Sequence, residues 1–315
     1  MTSFNPSSGE VWRPVRALEI IAGTPQGAGL DRTARALARA LEAGGLVDVP
    51  VNVLNMPGDA SRRIWTYLDR FAGDAHVAVV TSPNVTSDYL TGFSPFDHDA
   101  YTPLATLHSE YLAFVARAGS HVSTTHDFLD CLARAAGSIT VGVATSRGNP
   151  NHIALARVTR HVGGDVKSLQ VRAFDSARDA IADVVSGGCE VAVISATSAL
   201  PELADGRLCA VGVTAPARLA PPFARTPAWI EEGIDCIVDA WRGLDGAHGL
   251  SSRQIAFWDS ILAKATASNV WQSAIVEHHW SALYRNSKEL AAYLPHERAA
   301  MRSTLAELGL LSPRA

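Results

Sequence analysis

The sequence contains no apolar run long enough to cross a bilayer. The longest are about five residues, as in Val77–Val80 and Leu112–Ala116, against the ~20 that a spanning helix needs. Cysteine is scarce. Cys131, Cys189, Cys209 and Cys236 include no CxxC, and the closest two are 20 residues apart, which excludes a compact zinc module. They read either as buried free thiols or as one disulfide pair with two thiols left over. Charge is sparse as well, at 18% of residues, with 27 basic against 31 acidic side chains and a net charge of −4. A general basic field for nucleic acid is therefore excluded. Several catalytic signatures are missing. There is no G-x-G-x-x-G, no Gly-Lys-Ser/Thr phosphate loop, no HExxH and no G-x-S-x-G. Eleven histidines include the pair in Glu277-His278-His279-Trp280, but neighbours on a helix point to different faces, so no metal site is expected there.

What is present is a large apolar fraction, 47% of 315 residues. That is enough for a sizeable core and, at roughly 150 residues per domain, for two domains. Residues 1–14 read as a loose lead-in. Short runs rich in Val, Ile and Leu then alternate with helical patterns. The strands are expected at Leu18–Ala22, Val49–Val53, Val77–Val80, Leu112–Ala116, Ile139–Val143, Leu169–Ala173, Val191–Ile194 and Leu208–Val213. Between them, Leu30, Ala34, Leu37, Ala38 and Leu41 share a helix face, as do Ala154, Leu155, Val158 and Val162, and Ala177, Ile181, Val184 and Val185. This alternation predicts an α/β protein with mostly parallel sheets. From Ser251 to Leu311 only helices are expected, at Ser252–Ala267, Val270–Tyr284, Ser287–Ala292 and Pro295–Leu308. A helical tail after two α/β runs fits a two-lobed molecule whose tail returns to the first lobe.

Two loops carry chemical interest. After the first strand comes Gly23-Thr-Pro-Gln-Gly-Ala-Gly29, then a helix opening near Leu30–Asp31. Glycines permit close backbone approach and positive φ, and first-turn amides can hold an anion. The plainer alternative is a turn into a helix whose Asp31 complements the dipole. The second loop, Thr145-Ser-Arg-Gly-Asn-Pro150, follows a strand and offers Asn149 as N-cap with Pro150 at the first helical position. Arg147 reads either as a bidentate carboxylate clamp or as a solvated loop residue, and His152 either as a packing residue or as a ligand contact. Two such helix ends facing each other from different lobes would clamp a small acid.

The order and spacing of several motifs resemble the substrate-binding proteins of tripartite tricarboxylate transporters, over about Val15 to Leu310. The matching stretches are AGTPQGAGLDRTARALARAL, Asn55-Met-Pro-Gly58, TSRGNPNHIA, Ser198-Ala-Leu-Pro201, GRLCAVGVT (residues 206–214), Arg218, Thr226-Pro227 and a crossover containing Trp241. The resemblance implies an α/β, type II-like periplasmic-binding-protein clamshell of two lobes, with mixed, mostly parallel sheets and a C-terminal helical block. The implied lobes are 1–116 with 238–315, and 117–237, with the ligand cleft between them and hinges near Leu112–Arg117 and Ile237–Gly243. It implies a receptor, not an enzyme, that captures a small organic carboxylate (a di- or tricarboxylate, or an aromatic acid) by lobe closure. The alternative kept is a cytoplasmic sensor, or an enzyme acting on a carboxylate with the same clamshell.

Carried over residue by residue, the ligand loops are Gln26, Gly27, Ala28, Gly29 and Asp31; Ser82 and Asn84; Thr145, Ser146, Arg147, Gly148 and Asn149; and Ser195 and Thr197. Trp241 reads either as a cleft residue or as core. No cofactor, metal or nucleic acid is implied. The expected protein partners are membrane subunits of a transporter, or a sensor, and the chain is taken as a monomer. Three departures from the family pattern stand out. Asp59-Ala-Ser-Arg-Arg63 replaces a glycine-rich stretch, Arg147 replaces a small polar residue, and Ile194 stands where an acidic partner for an amino group is frequent. The last points away from amino-acid ligands. Residues 1–20 carry no basic n-region followed by an apolar h-region. The chain is therefore expected in the periplasm if a signal peptide has been removed, and in the cytoplasm otherwise.

Overall fold

The structure, a computed structural model, describes residues 11–313; of the lead-in expected over residues 1–14, the first ten lie outside it. The first strands and helices alternate as the sequence predicts. They are β1 (Leu18–Ala22), α1 (Gly29–Ala43), β2 (Val51–Asn55), α2 (Arg62–Leu68), β3 (Val77–Thr81) and α3 (Asn84–Leu90). A 16-residue strand, β4 (Thr102–Arg117), follows. Next come α4 (Thr125–Ala135), β5 (Thr140–Ala144), α5 (Pro150–His161), β6 (Gln170–Phe174), α6 (Ala177–Ser186), β7 (Val191–Ser195), α7 (Leu200–Ala204) and β8 (Leu208–Val213). The chain then crosses back through β9 (Asp239–Gly246) and ends with α8 (Ser252–Ala267), α9 (Asn269–Glu277), β10 (Ser281–Arg285) and α10 (Ser287–Glu307).

The long strand β4 organises the molecule because its two halves belong to different half-sheets. Its first half, up to Tyr111, pairs antiparallel with β9, and beside it β10 pairs through Thr106, His108 and Ser109. From Leu112 onward it pairs instead with β7 and β8. The first half-sheet runs β2-β1-β3-β9-β4 and the second β4-β7-β5-β6. The strands within each βαβ run are parallel, β1 with β2 and β3, and β5 with β6 and β7. Side chains on β1 alternate between faces as strand geometry requires. Ile20 joins a core with Leu37, Leu41, Trp258 and Trp271, and Ile21 joins one with Ile64, Trp65 and Val79. On the second half-sheet Phe114 packs with Phe128, Leu155 and Trp229, while Ala113 and Val115 face Ile181, Val184 and Ile194. The three predicted amphipathic faces are the ones that pack. All four cysteines are free thiols.

Three readings of the sequence are corrected. The strand expected at Leu112–Ala116 is the back half of β4. Its front half, TPLATLHSEY, and all of β9, DAWRGLDG, are too polar to read as buried strands. The C-terminal quarter is not purely helical. Helix α9 stops at Glu277, where His279 adopts φ 53° and the amides of His279 and Trp280 bond back to Val276 and Ile275. This is a Schellman termination, made here without the glycine that usually marks one, and it releases the chain into β10. The two helices expected on either side of Tyr293–Leu294 are one helix, α10, which continues through Pro295. The hydrogen bond lost there is offset by burial of Leu290, Leu294, Met301 and Leu305.

The second core is packed to its limit at Gly212, where an added Cβ would lie 2.2 Å from Trp229. Trp229 itself is wedged edge-on against Phe114, with ring centroids 5.0 Å apart. Gly212→Ala is expected to destabilise the fold by about 1–3 kcal/mol, read as a lower melting temperature or denaturant midpoint. An unchanged midpoint would mean that Trp229 has room to move.

Candidate functional site

Ligands of open α/β sheets lie beyond the carboxyl ends of parallel strands. The strands β1 and β3 of the first half-sheet and β5, β6 and β7 of the second all send their carboxyl-end loops to one cavity of about 260 Å³. That is just below the ~300–1,000 Å³ typical for drug-sized ligands, so the space suits a small metabolite.

The β1–α1 loop is built around a buried carboxylate. Asp31 is 1% exposed. It accepts hydrogen bonds from the Gly27 amide (2.7 Å), from Arg35 Nε (2.9 Å) and from Asn55 Nδ2 (2.8 Å), while Asn55 Nδ2 also donates to the Thr24 carbonyl. Burial alone would raise the pKa of Asp31, but these partners together hold it below the ordinary value. Gly27 has φ +82°, a conformation that suits glycine. Asp31 and Gly27 are therefore occupied with each other. Asp31 is buried behind the loop, Gln26 and Gly27 are exposed on its outside, and Ala28 and Gly29 line the cavity. No side chain caps α1 at Ala28, so its first-turn amides remain available to an anion.

The second loop is more self-contained. Asn149 caps α5 by accepting from the His152 amide, and its Nδ2 donates to the Ala144 carbonyl. The amides of Thr145, Ser146 and Gly148 are used within the protein, by Phe174 O, Ala144 O and His152 Nδ1 respectively. His152 is buried, and burial with the nearby charge of Arg147 pushes its pKa down to about 4, so it is neutral and accepts through Nδ1. Thr145 and Asn149 line the cavity, as do Ser82, Asn84 and Ser195. Ser146 and Gly148 are buried beside it, and Arg147 is exposed outside the lining. Thr197 lies behind Ser195, donating to Glu110 Oε1 at 3.3 Å. Trp241 is fully buried with Leu290 and Leu294, donates to Glu297 Oε1, and lies outside the lining.

The sequence reading missed the charged side chains of the cavity: Arg32, Arg62 and Arg242, and Glu110, Asp88 and Asp175. Arg32 was within reach, since it stands three residues after Gly29 and so shares its helix face. Arg242 and Glu110 were not, because β9 and the front of β4 went unread. Arg242 Nη2 donates to Glu110 Oε2 at 2.9 Å, and Trp280 Nε1 donates to Glu110 Oε1 at 3.0 Å. Burial opposes ionisation of Glu110, but the Arg242 guanidinium outweighs it and keeps the carboxylate charged. Four lining side chains carry buried polar atoms without a partner among the described residues: Thr24 Oγ1, Thr81 Oγ1, Arg32 Nε and Arg242 Nε. Unsatisfied buried donors are costly, and these four border the same cavity.

The cavity wall also joins the two half-sheets. Asn84 Nδ2 donates to Thr145 Oγ1 at 3.0 Å, and Ser146 Oγ donates to Asp88 Oδ1 at 2.8 Å. Each bond connects the start or middle of α3 to the loop opening α5.

No family model matches the sequence, and no curated protein does. Solved structures do match along nearly the whole chain. A TctC solute-binding protein from Polaromonas is 23% identical with a TM-score of 0.73, covering 94% of this chain and 99% of its own. MatC from Rhodopseudomonas palustris, solved with malate, is 19% identical with a TM-score of 0.76, covering 93% and 99%. A further R. palustris protein, solved with adipate, is 15% identical with a TM-score of 0.81, covering 94% and 98%. The fold is that of the periplasmic solute-binding proteins. In this two-lobed clamshell fold, β4 is shared by the two half-sheets, and the cavity lies where the carboxyl-end loops of both half-sheets meet.

Asp88 gives the junction a pH dependence. Burial pushes its carboxyl up to about 6, against the hydrogen bond from Ser146 and the field of Arg62. A carboxyl raised in the folded state stabilises the fold below its unfolded pKa, near 4, and that contribution is lost as pH rises through about 6. A shift of roughly two units corresponds to about 3 kcal/mol. Asp88→Asn, which removes this titration, is expected to gain stability relative to the parent between pH 4 and pH 7.5, by up to that amount. Parallel pH–stability curves for the two proteins would show that Asp88 does not titrate in this range.

Proposed function

We propose that the chain is a solute-binding receptor that captures a small organic carboxylate between two lobes and releases it unchanged. The observation that carries this reading is Arg32. It lines the cavity from the first turn of an uncapped helix, and no carboxylate of the described residues lies within ion-pair distance of it. A cation and free amides at one point form a site for an anion. The bound malate and adipate of the structural neighbours are small carboxylates as well.

In this reading the lobes are residues 1–116 with 238–315, and 117–237, and the hinge lies where β4 changes partners and β9 crosses back. Ala28 and Gly29, with Arg32, meet the carboxylate. Ser82, Asn84, Thr145, Asn149 and Ser195 contact the rest of the solute, and the ligand shifts the population toward closure. Such a receptor works in the periplasm and hands its solute to membrane subunits of a transporter.

The test is a thermal-shift screen against mono-, di- and tricarboxylates. At least one should raise the melting temperature in a concentration-dependent way and be recovered unaltered from the protein. Arg32→Gln, a side chain with no structural partner to lose, should then weaken that ligand about 10- to 100-fold by calorimetry, the range for a hydrogen bond to a charged group. If no carboxylate of any class shifts the protein, the reading fails.

A further inference from the structure

The six charged side chains lining the cavity sort into four that are answered by an ion pair or hydrogen bond within the protein and two that are not. Arg242 is matched by Glu110 at 2.9 Å, and Arg62 has Asp59 Oδ1 at 4.0 Å and lies in the field of Asp88. Asp88 in turn is held by Ser146. That leaves Arg32 and Asp175. Asp175 precedes Ser176, the N-cap of α6, so it projects from the second lobe, whereas Arg32 belongs to the first. Both line the same cavity, and neither side chain makes an ion pair or hydrogen bond with the described residues, including each other. Two unanswered charges of opposite sign therefore border one cavity from opposite lobes.

Water satisfies both while the cavity is open. A solute that fills the cavity displaces that water, and a carboxylate stripped of water without a replacement donor is strongly penalised. A ligand bearing only carboxylates would answer Arg32 and at the same time place like charge near Asp175. A ligand carrying a carboxylate at one end and an ammonium nearby answers both. Resting on the receptor reading above, we infer that Asp175 is a specificity-determining residue, which takes the ammonium group of an amino-bearing carboxylate anchored at Arg32. The acidic partner missing at Ile194 is thus supplied from the end of a different strand, β6.

The experiment compares matched pairs that differ only in the amino group: aspartate with succinate, leucine with 4-methylpentanoate, and phenylalanine with 3-phenylpropanoate. In calorimetry the parent protein should bind at least one amino-bearing member tenfold or more tighter than its partner. Asp175→Asn should weaken that member about 10- to 100-fold. It should also strengthen the desamino member, because a repelling charge has been removed; a purely structural role would weaken both. A parent protein that prefers the desamino members, or an Asp175→Asn variant that moves both members equally, would overturn the assignment while leaving a carboxylate receptor standing. Malate serves as a third arm. If it matches aspartate in the parent and loses the same factor in the variant, the group met by Asp175 is a neutral donor and the ammonium assignment is wrong. Failure of every carboxylate to bind would remove the receptor reading and this inference together.

Discussion

The Glu110–Arg242 pair is the constraint on which the site depends. Glu110 is 3% exposed, and a carboxylate so buried is tolerated only with close partners. Its partners come from widely separated parts of the chain: Arg242 on β9, Trp280 just after α9, and Thr197 beyond β7 in the other lobe. One side chain thus ties the crossing strands to the C-terminal segment and to the second lobe, at the point where β4 changes partners. Trp280 reaches Glu110 only because α9 stops at Glu277 and the reversed backbone at His279 redirects the chain into β10. Loss of either member would leave the other charge buried and unpaired, so the pair is better understood as fixing geometry than as supplying net stability.

The same logic explains why, on the reading proposed above, recognition would fall to side chains. A glycine-rich loop at a helix start offers backbone amides, but this protein uses several of them internally. Asp31 takes the Gly27 amide, His152 takes that of Gly148, and backbone carbonyls take those of Thr145 and Ser146. These bonds hold both loops rigid and leave the first turn of α1 as the open amide set. Arginines then supply the positive charge. Each guanidinium offers planar, directional donors, so on that reading the charges the protein leaves unanswered set what the cavity accepts. Rigid loops also lower the ordering cost of binding.

Much of this was legible in the sequence. Strands β1, β3, β5 and β7 are continuous Val/Ile/Leu-rich runs because helices cover both of their faces, and Asn149-Pro150 marked the start of α5 by cap chemistry alone. The loops bordering the cavity followed from strand ends and helix starts. What could not be read was pairing at long range. The front of β4 buries His108, Ser109 and Glu110, which by composition belong to a surface. Their partners are Thr33, Asp239 and Arg242, the last two on a strand about 130 residues away that looks equally unlike one. Trp241, an obvious aromatic candidate, sits on that strand's other face and packs into α10. Arg147 and Asp175 show the same limit in reverse. Each is an exposed charged residue in a loop, and only the three-dimensional arrangement separates the one bordering the cavity from the one outside it.

On the receptor reading proposed above the junction has to open, and its energetics allow that. Across the lobes the structure shows three side-chain hydrogen bonds at the cavity wall, Asn84–Thr145, Ser146–Asp88 and Thr197–Glu110, each worth about 1 kcal/mol net. It also shows a small apolar cluster in which Leu90 of α3 and Ile153 of α5 meet Met301 and Leu305 of α10. The Arg160–Glu307 pair is exposed, and such pairs contribute about 0–1 kcal/mol. Burying four side chains yields at most about 6–12 kcal/mol if all were fully exposed on opening. They are not, because α10 packs on both α3 and α5 and can keep one set of contacts while the other parts. The cost of separating the lobes therefore falls to a few kcal/mol, less than the ~8 kcal/mol of a micromolar ligand. A solute bridging the cavity has enough binding energy to decide between the two states, whereas a junction several times larger would stay shut regardless of occupancy. On the proposed receptor reading, the modest contact between lobes is a requirement of opening and not a weakness of the packing.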